Sequence, residues 1–406
     1  MKKERAIVVG VYRNKAEKAL AEETLRELEE LARSAGAEVV GWVLQKRHRF
    51  DPAYLVGKGK IQEIANMAEE LDANLVIFDE TLSPAQHRNI DQIVPCKVLD
   101  RTQLILDIFS QRAMTKEGKL QVELAQLNYL LPRLVGIGKK LSRLGGGIGT
   151  RGPGEKKLEY DRRRIAERIK RIKEEIEEIR KRREQQRKRR KRGNIPTVAL
   201  VGYTSAGKTT LFNRLTGEKR QISRALFTTL DPILRRITLP SGLPAVLSDT
   251  VGFIRKLPVE LVTAFRATLE ETVEADLLLH VIDFSKEDFQ EEEEAVERTL
   301  QQLDALRKPI IKVYNKIDLL ENPEEFLERN FTGNERVYIS AREGLGIEDL
   351  LKRIDEALLV NYEIKTVFLP YTQGGAWEKI SSDSIILERH PGESGVRVKI
   401  AKRKKT

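Results

Sequence analysis

Residues Gly202-Tyr203-Thr204-Ser205-Ala206-Gly207-Lys208-Thr209 put two glycines, a lysine and a hydroxyl in an order suited to gripping a polyphosphate. They follow the apolar run VALVG and open TTLFNRLTG, a strand-to-helix junction. At such a junction the glycines let backbone N–H groups turn inward on an anion at the helix N-terminus. Lys208 is placed to reach the β- and γ-phosphates, and the Thr209 hydroxyl to take a position on Mg²⁺. A ligand-free glycine turn is the plain alternative, but it requires neither the lysine nor the threonine.

Three further clusters extend this chemistry. Asp249-Thr250-Val251-Gly252 ends the apolar run AVLS, about forty residues after the first motif. Asp249 is expected to act on Mg²⁺ through its water shell, and the Gly252 N–H to meet the γ-phosphate. Alone, DTVG would be an ordinary strand-ending turn; its position gives it meaning. Between the two lies Phe227-Thr228-Thr229-Leu230-Asp231, in the interval of a switch loop. Thr229, with Thr228 as the alternative, is expected to coordinate Mg²⁺ and sense the γ-phosphate. Asn315-Lys316-Ile317-Asp318 and Ser340-Ala341-Arg342 each follow an apolar run. The Asp318 carboxylate can accept two hydrogen bonds from guanine N1–H and the 2-amino group, while Asn315 and Ser340-Ala341 support the base through its carbonyl oxygen. Adenine offers no matching pair of donors, and a buried carboxylate left unpaired is costly, so GTP rather than ATP is the expected substrate. The assigned catalytic set is Lys208, Thr229 and Gly252.

The elements that must carry these residues are legible as alternation. PTVALVG, PAVLSDT, LLLHVID, IIKVYNK and RVYIS alternate with helical sequence from Ile195 onward, a doubly wound α/β pattern. The first 112 residues alternate likewise (AIVVGVY, EVVGWVLQ, NLVIFDE, CKVLD, with amphipathic stretches at Ala16–Ala35 and Ile61–Leu71), which predicts a small parallel α/β domain. Leu120, Leu124, Leu127, Leu131 and Leu134 then mark one helix face, and Leu158, Ile165, Ile169, Ile172, Ile176 and Ile179 a second. Between them lies the glycine-rich GIGKKLSRLGGGIGTRGPGE. The economical arrangement is an antiparallel helical hairpin with this loop at its tip. After Tyr362, the runs TVFLP, SIILERH and VRVKI predict a small β-containing unit. The expected domains are 1–112, 113–193, 194–361 and 362–406.

Charge singles out the hairpin. The chain of 406 residues carries +11 overall, yet residues 113–193 hold 26 Lys/Arg against 11 Asp/Glu. This segment is at +15 and the rest of the chain at −4. Such a block attracts polyanions by displacing their counterions, which leaves RNA, DNA and anionic membrane as partner classes. Few aromatic residues argue against base stacking as the main mode of recognition. No run approaches the ~20 apolar residues of a membrane helix, and the single cysteine, Cys96, has no internal disulfide partner and is expected in a core. A soluble cytoplasmic protein is expected. His48, His87, His280 and His390 lack ligand spacing and are assigned to no metal.

With the motifs assembled, the chain resembles the HflX family of translation-associated GTPases. Besides the nucleotide motifs, the likeness rests on Val56-Gly57-Lys58-Gly59-Lys60, VLDRTQLILDIFSQRA, LQVELAQLNYLLPRL, GGGIGTRGPGE and Phe227-Thr-Thr-Leu-Asp-Pro. It covers most of residues 1–360, with the tail matching loosely. The resemblance implies Thr209 and Thr229 as magnesium ligands and GTP contacts over 202–209, 227–231, 249–252, 315–318 and 340–342. It also implies a monomer that binds the ribosome, mainly large-subunit rRNA, with the hairpin tip near the peptidyl-transferase centre. Such a protein would split stalled ribosomes in the GTP state, notably after heat stress; it would be cytoplasmic, in part at the membrane, without inserting. A weak second ATP site at Val56–Lys60 is a further implication; the plain reading there is a glycine loop with solvated lysines. Two alternatives stay open: a ribosome-assembly GTPase, or a regulator that binds RNA or membrane under nucleotide control. The chain departs from the broader GTPase pattern after DTVG, where Phe253 and Ile254 stand in place of a water-orienting glutamine, so slow intrinsic hydrolysis is expected.

Overall fold

The structure, a computed structural model, describes residues 3–134, 153–192, 194–219, 226–227, 229–256, 271–329, 336–372 and 384–404. The chain forms two compact units, one of Met1–Glu177 with Ala225–Phe227 and Lys256–Phe265, the other of the remainder.

In the first unit, β1 (Arg5–Tyr12), β2 (Glu38–Lys46), β3 (Leu75–Phe78) and β4 (Lys97–Asp100) form a parallel sheet of order β2-β1-β3-β4. The interior of β1 and all of β3 are buried, which is why they read as unbroken apolar runs. Helix α1 (Lys18–Ser34) covers the sheet with Leu25, Leu28, Leu31 and Ala32 at helical spacing. Helix α2 (Lys58–Glu70) starts at Gly57, and α3 (Pro84–Ile90) is opened by a capping box between Ser83 and Gln86 with Pro84 in its first turn. The Asp100 carboxylate caps α4 (Arg101–Arg112) at the Gln103 N–H and also accepts the Tyr129 hydroxyl at 2.8 Å.

Tyr129 lies on α5 (Lys116–Leu134), the first hairpin helix, and α6 (Pro153–Arg192) is the second. Arg168 donates to both carboxylate oxygens of Glu123 at 2.7 Å, and Lys116 pairs with Glu175 at 3.0 Å. The two pairs run in opposite senses along the helices, so α5 and α6 are antiparallel. Leu120, Leu124, Ile169 and Ile172 are buried, while the rest of both stripes is half-buried where described. The glycine-rich tip, residues 135–152, lies outside the described residues.

The second unit contains a six-stranded sheet: β5 (Thr197–Gly202), β6 (Ile233–Thr238), β7 (Pro244–Asp249), β8 (Leu277–Asp283), β9 (Ile310–Asn315) and β10 (Arg336–Tyr338), in the order β10-β9-β8-β5-β7-β6. All neighbours are parallel except β6 on β7. Between the strands run α7 (Lys208–Thr216), α8 (Phe289–Gln302), α9 (Pro323–Arg329) and α10 (Ile347–Leu359). The period of two along β5 supplies both faces: Val198 and Leu200 pack with Leu211, Phe212, Leu350 and Ile354, whereas Ala199 and Val201 pack with Val296 and Leu300. The fold class is therefore α/β, as the alternation predicts. The tail forms an antiparallel sheet, β11 (Tyr362–Pro370), β12 (Ile385–Pro391) and β13 (Gly395–Arg403), ordered β11-β13-β12. Tyr362, Ile385 and Ala401 enter the same core as Leu247 and Leu358, and Arg403 pairs with Asp276 at 2.6 Å.

Candidate nucleotide site

Every strand of the six-stranded sheet that carries a motif delivers it at its C-terminal end, where a doubly wound fold binds ligands. The 202–209 loop leaves β5 and enters α7 through Gly207, whose φ of +95° suits glycine; a Cβ there would stand 2.3 Å from Asn315 Nδ2. Lys208 is buried and donates to the carbonyls of Gly202 (3.0 Å) and Tyr203 (2.7 Å). Burial pulls its ammonium down to about 8, a fall that Asp249 and Glu292 only partly offset. A negatively charged phosphate is the partner such a desolvated cation favours.

Thr209, Thr229 and Asp249 converge. The Thr209 and Thr229 hydroxyls lie 3.2 Å apart and donate to Asp249 Oδ2 at 3.1 and 3.0 Å. Two hydroxyls and a carboxylate are the hard oxygen donors that Mg²⁺ takes alongside phosphate and water, so the set fits that ion. Among the described residues no group of three His, Cys, Asp or Glu is placed to hold a metal. Thr228 lies outside the described residues.

Gly252 approaches closely: a Cβ on it would stand 2.8 Å from Thr204 Cγ2 and 3.1 Å from Lys208 Nζ. The next residue binds the first loop through its backbone, with Phe253 N–H donating to Gly202 O (3.1 Å) and Thr204 N–H to Phe253 O (2.8 Å). The Phe253 and Ile254 side chains are buried, and Phe253 packs with Ala199 and Val201. Neither offers a polar atom to a water. Tyr203 adds a further tie, its hydroxyl accepting the Arg255 N–H at 2.8 Å. Thr250, by contrast, donates to Leu200 O at 2.6 Å and serves the core. Leu230 is buried, and Phe227, with φ +57°, packs edge-to-face on Phe109 at 4.6 Å, both rings belonging to the first unit.

On the base side, Asn315 Nδ2 donates to Ala206 O at 2.8 Å while its Oδ1 accepts the Ala341 N–H at 2.9 Å. One buried amide thus joins the phosphate loop to the 340–342 loop. Ser340 folds that loop, its Oγ accepting the Glu343 N–H at 3.0 Å. Lys316, with φ +69°, donates to Asp283 Oδ2 at 2.6 Å. Asp318 is half-buried on the short turn after β9 and has no hydrogen-bond or ion-pair partner among the described residues. Sequence reasoning missed Asp283, which also accepts the Ser285 hydroxyl at 2.6 Å, and Arg214, which reaches the 340–342 loop from α7. The only signal for either is position, at the end of a strand and in the helix after the phosphate loop.

Comparison with known proteins agrees with this geometry. Residues 22–110 match the family model described as GTP-binding GTPase N-terminal, residues 112–190 the GTP-binding GTPase Middle Region, and residues 197–316 the 50S ribosome-binding GTPase. GTPase HflX of Caldanaerobacter subterraneus subsp. tengcongensis is 50% identical over 398 residues, covering 98% of this chain and 90% of the relative. GTPase HflX of Escherichia coli is 48% identical over 372 residues, covering 91% and 87%. The chain belongs to the HflX family of GTPases. GTP hydrolysis is its activity. Among solved structures, a GTP-binding protein from the hyperthermophilic archaeon Sulfolobus solfataricus in complex with GDP is 26% identical, covers 87% of this chain and 98% of that one, and has a TM-score of 0.44. Among the described residues of this HflX-family chain no helix is long and apolar enough to cross a membrane.

Proposed function

We propose that this GTPase binds the large ribosomal subunit and, with GTP bound, splits stalled or idle ribosomes into subunits, hydrolysis to GDP and phosphate resetting it. The observation that carries this reading is the +15 charge of residues 113–193, carried by a segment whose described helices pair antiparallel. The family model for residues 197–316, described as a 50S ribosome-binding GTPase, supports the same partner. The four parts 1–112, 113–193, 194–361 and 362–406 are proposed as the working divisions of a cytoplasmic monomer.

In the site, the 202–209 backbone amides and Lys208 hold the β- and γ-phosphates, and Thr209, Thr229 and water-linked Asp249 would hold Mg²⁺. When bound, the ion would supply charge neutralisation to the phosphates. Water attacks the γ-phosphorus as the bond to the β–γ bridging oxygen breaks, and the Gly252 N–H meets the γ-phosphate oxygens. Asp318, Asn315 and the 340–342 loop receive guanine. Because the Phe253 and Ile254 side chains are buried, the chain contributes no group there to orient the water. The ribosome is proposed to supply it or to order the switch segments. In this scheme the GTP-bound conformation does the work through differential affinity.

The test is co-sedimentation with purified ribosomes in GDP, ATP, GTP or a non-hydrolysable GTP analogue, followed by subunit profiles on a sucrose gradient. Binding and free subunits with guanine triphosphates alone are expected. Nucleotide-independent or absent binding would remove the ribosome from the proposal, and binding without splitting would point to an assembly factor.

A further inference from the structure

We propose that Arg214 is a positioning residue for guanine recognition, clamping the base-binding loop to the helix that binds the phosphates. The inference rests on the reading that the 340–342 loop receives the base. Arg214 lies on α7, whose first residue is Lys208. Its Nε donates to Ala341 O at 3.1 Å, and its Nη2 donates to Arg342 O. Two consecutive carbonyls of one loop are thus held by the fork of one guanidinium. The same side chain lies along the turn that closes the loop, since a Cβ on Gly344 would stand 3.5 Å from its Cζ and Nη1.

The geometry has a consequence for the ligand. With their carbonyls tied to Arg214, the Ala341–Arg342 and Arg342–Glu343 peptide units are fixed in orientation; a trans peptide points its N–H opposite to its C=O, and the Glu343 N–H is taken by Ser340 Oγ, so the Arg342 N–H is the donor turned away from Arg214 for a ligand. That orientation suits the 6-oxo group of guanine. Asn315 fixes the loop from the β9 end and Arg214 from α7, so phosphate and base subsites are registered on one rigid helix. Lysine carries one nitrogen and cannot bridge two carbonyls in this manner. Nothing in the phosphate chemistry needs Arg214, so its loss should appear in base affinity.

The test uses the full chain with Mg²⁺ and compares GDP with 6-thio-GDP, which keeps the N1–H and 2-amino donors and changes only the 6-position. Arg214→Ala is expected to weaken GDP binding roughly fivefold to tenfold, the scale of one charge-assisted hydrogen bond, and to shrink the preference for GDP over 6-thio-GDP. Arg214→Lys should fall between. Unchanged GDP affinity, or equal weakening of both nucleotides as general destabilisation would produce, overturns the proposal. Asp318→Asn serves as the control for the underlying site, because an amide donor facing the 2-position should favour XDP over GDP. If Asp318→Asn shows no such switch, the base-site reading itself falls; if it switches and Arg214→Ala behaves as wild type, only the role of Arg214 falls.

Discussion

Thr229 is proposed to join the magnesium site to the switch segment, and among the described residues its hydroxyl bonds to Thr209 and Asp249. A residue that senses the γ-phosphate should matter for GTP and little for GDP. Thr229→Ala is therefore expected to lower single-turnover hydrolysis by about tenfold or more while GDP affinity stays near wild type, since one charge-stabilising contact is lost only in the triphosphate state. Fluorescence titration with both nucleotides alongside quench-flow checks this. Phe253 stands where a water-orienting glutamine would, but Phe253→Gln should not speed hydrolysis, because the side chain is enclosed by Ala199, Val201 and their neighbours. It should instead cost on the order of 3 kcal/mol of stability through lost apolar burial and a stranded amide, read by denaturant melts. His280 sets a pH dependence. Burial, helped by Lys312 and Lys208, lowers its imidazole to about 3 from an ordinary 6.5. The unfolded chain binds this proton near pH 6.5 and the folded chain does not, so the histidine leaves stability untouched above pH 6.5 and erodes it as pH falls toward 3. Between pH 6.5 and 5 the loss is about 2 kcal/mol. His280→Leu should remove that part of the acid sensitivity, and parallel slopes for the two proteins would refute the assignment.

Among the elements, the hairpin depends on a narrow apolar seam in very polar helices. Ile172 is fully buried in it while Ile165 is only half-buried. Ile172→Ala should cost about 2–4 kcal/mol and Ile165→Ala clearly less, measured by thermal melts. The Arg168–Glu123 pair is largely exposed, so it fixes register more than it adds stability. That seam was legible from spacing alone, as were twelve of the thirteen strands among the described residues, the parallel ones because buried parallel strands are written as apolar runs. The strand β6 was not read: it is an antiparallel edge strand whose residues ILRRIT include the exposed Arg235 and Arg236, so it lacks an apolar signature. Arg101 shows the same limit from the other side. It is fully buried, donating to Asp79 at 2.7 Å and pairing with Glu27, partners 22 and 74 residues away that no local pattern reveals. Cys96, expected in a core, is half-buried and packs against one from its edge. The phosphate and base motifs were legible because each is contiguous and ends a strand; Arg214 and Asp283 act across the fold, and only coordinates bring them to the loops they hold.

For the whole molecule, charge is segregated: +15 on 113–193, the segment proposed to meet a polyanion, and −4 on the remainder, which includes the residues that match the GTPase model. If rRNA phosphates are the partner, affinity must fall steeply with salt, each neutralised phosphate adding about 0.7 to 0.9 to the log–log slope. Replacing the six basic residues of RKRRKR at 187–192 with glutamine should then lower that slope by up to about four to five and weaken ribosome binding most at low salt. An unchanged slope would mean that this stretch is merely solvated. Hydrolysis gives the complementary test, because the proposed phosphate grip is followed by Phe253 and Ile254, buried apolar side chains with no polar atom to orient water. Turnover by the chain alone should be slow and should rise when ribosomes are added; the rise should shrink as salt weakens binding, while basal turnover follows nucleotide affinity alone. Steady-state phosphate release across a salt series, with and without ribosomes, separates the two. Equal rates under both conditions would show that the buried Phe253 and Ile254 leave no catalytic gap for a partner to fill.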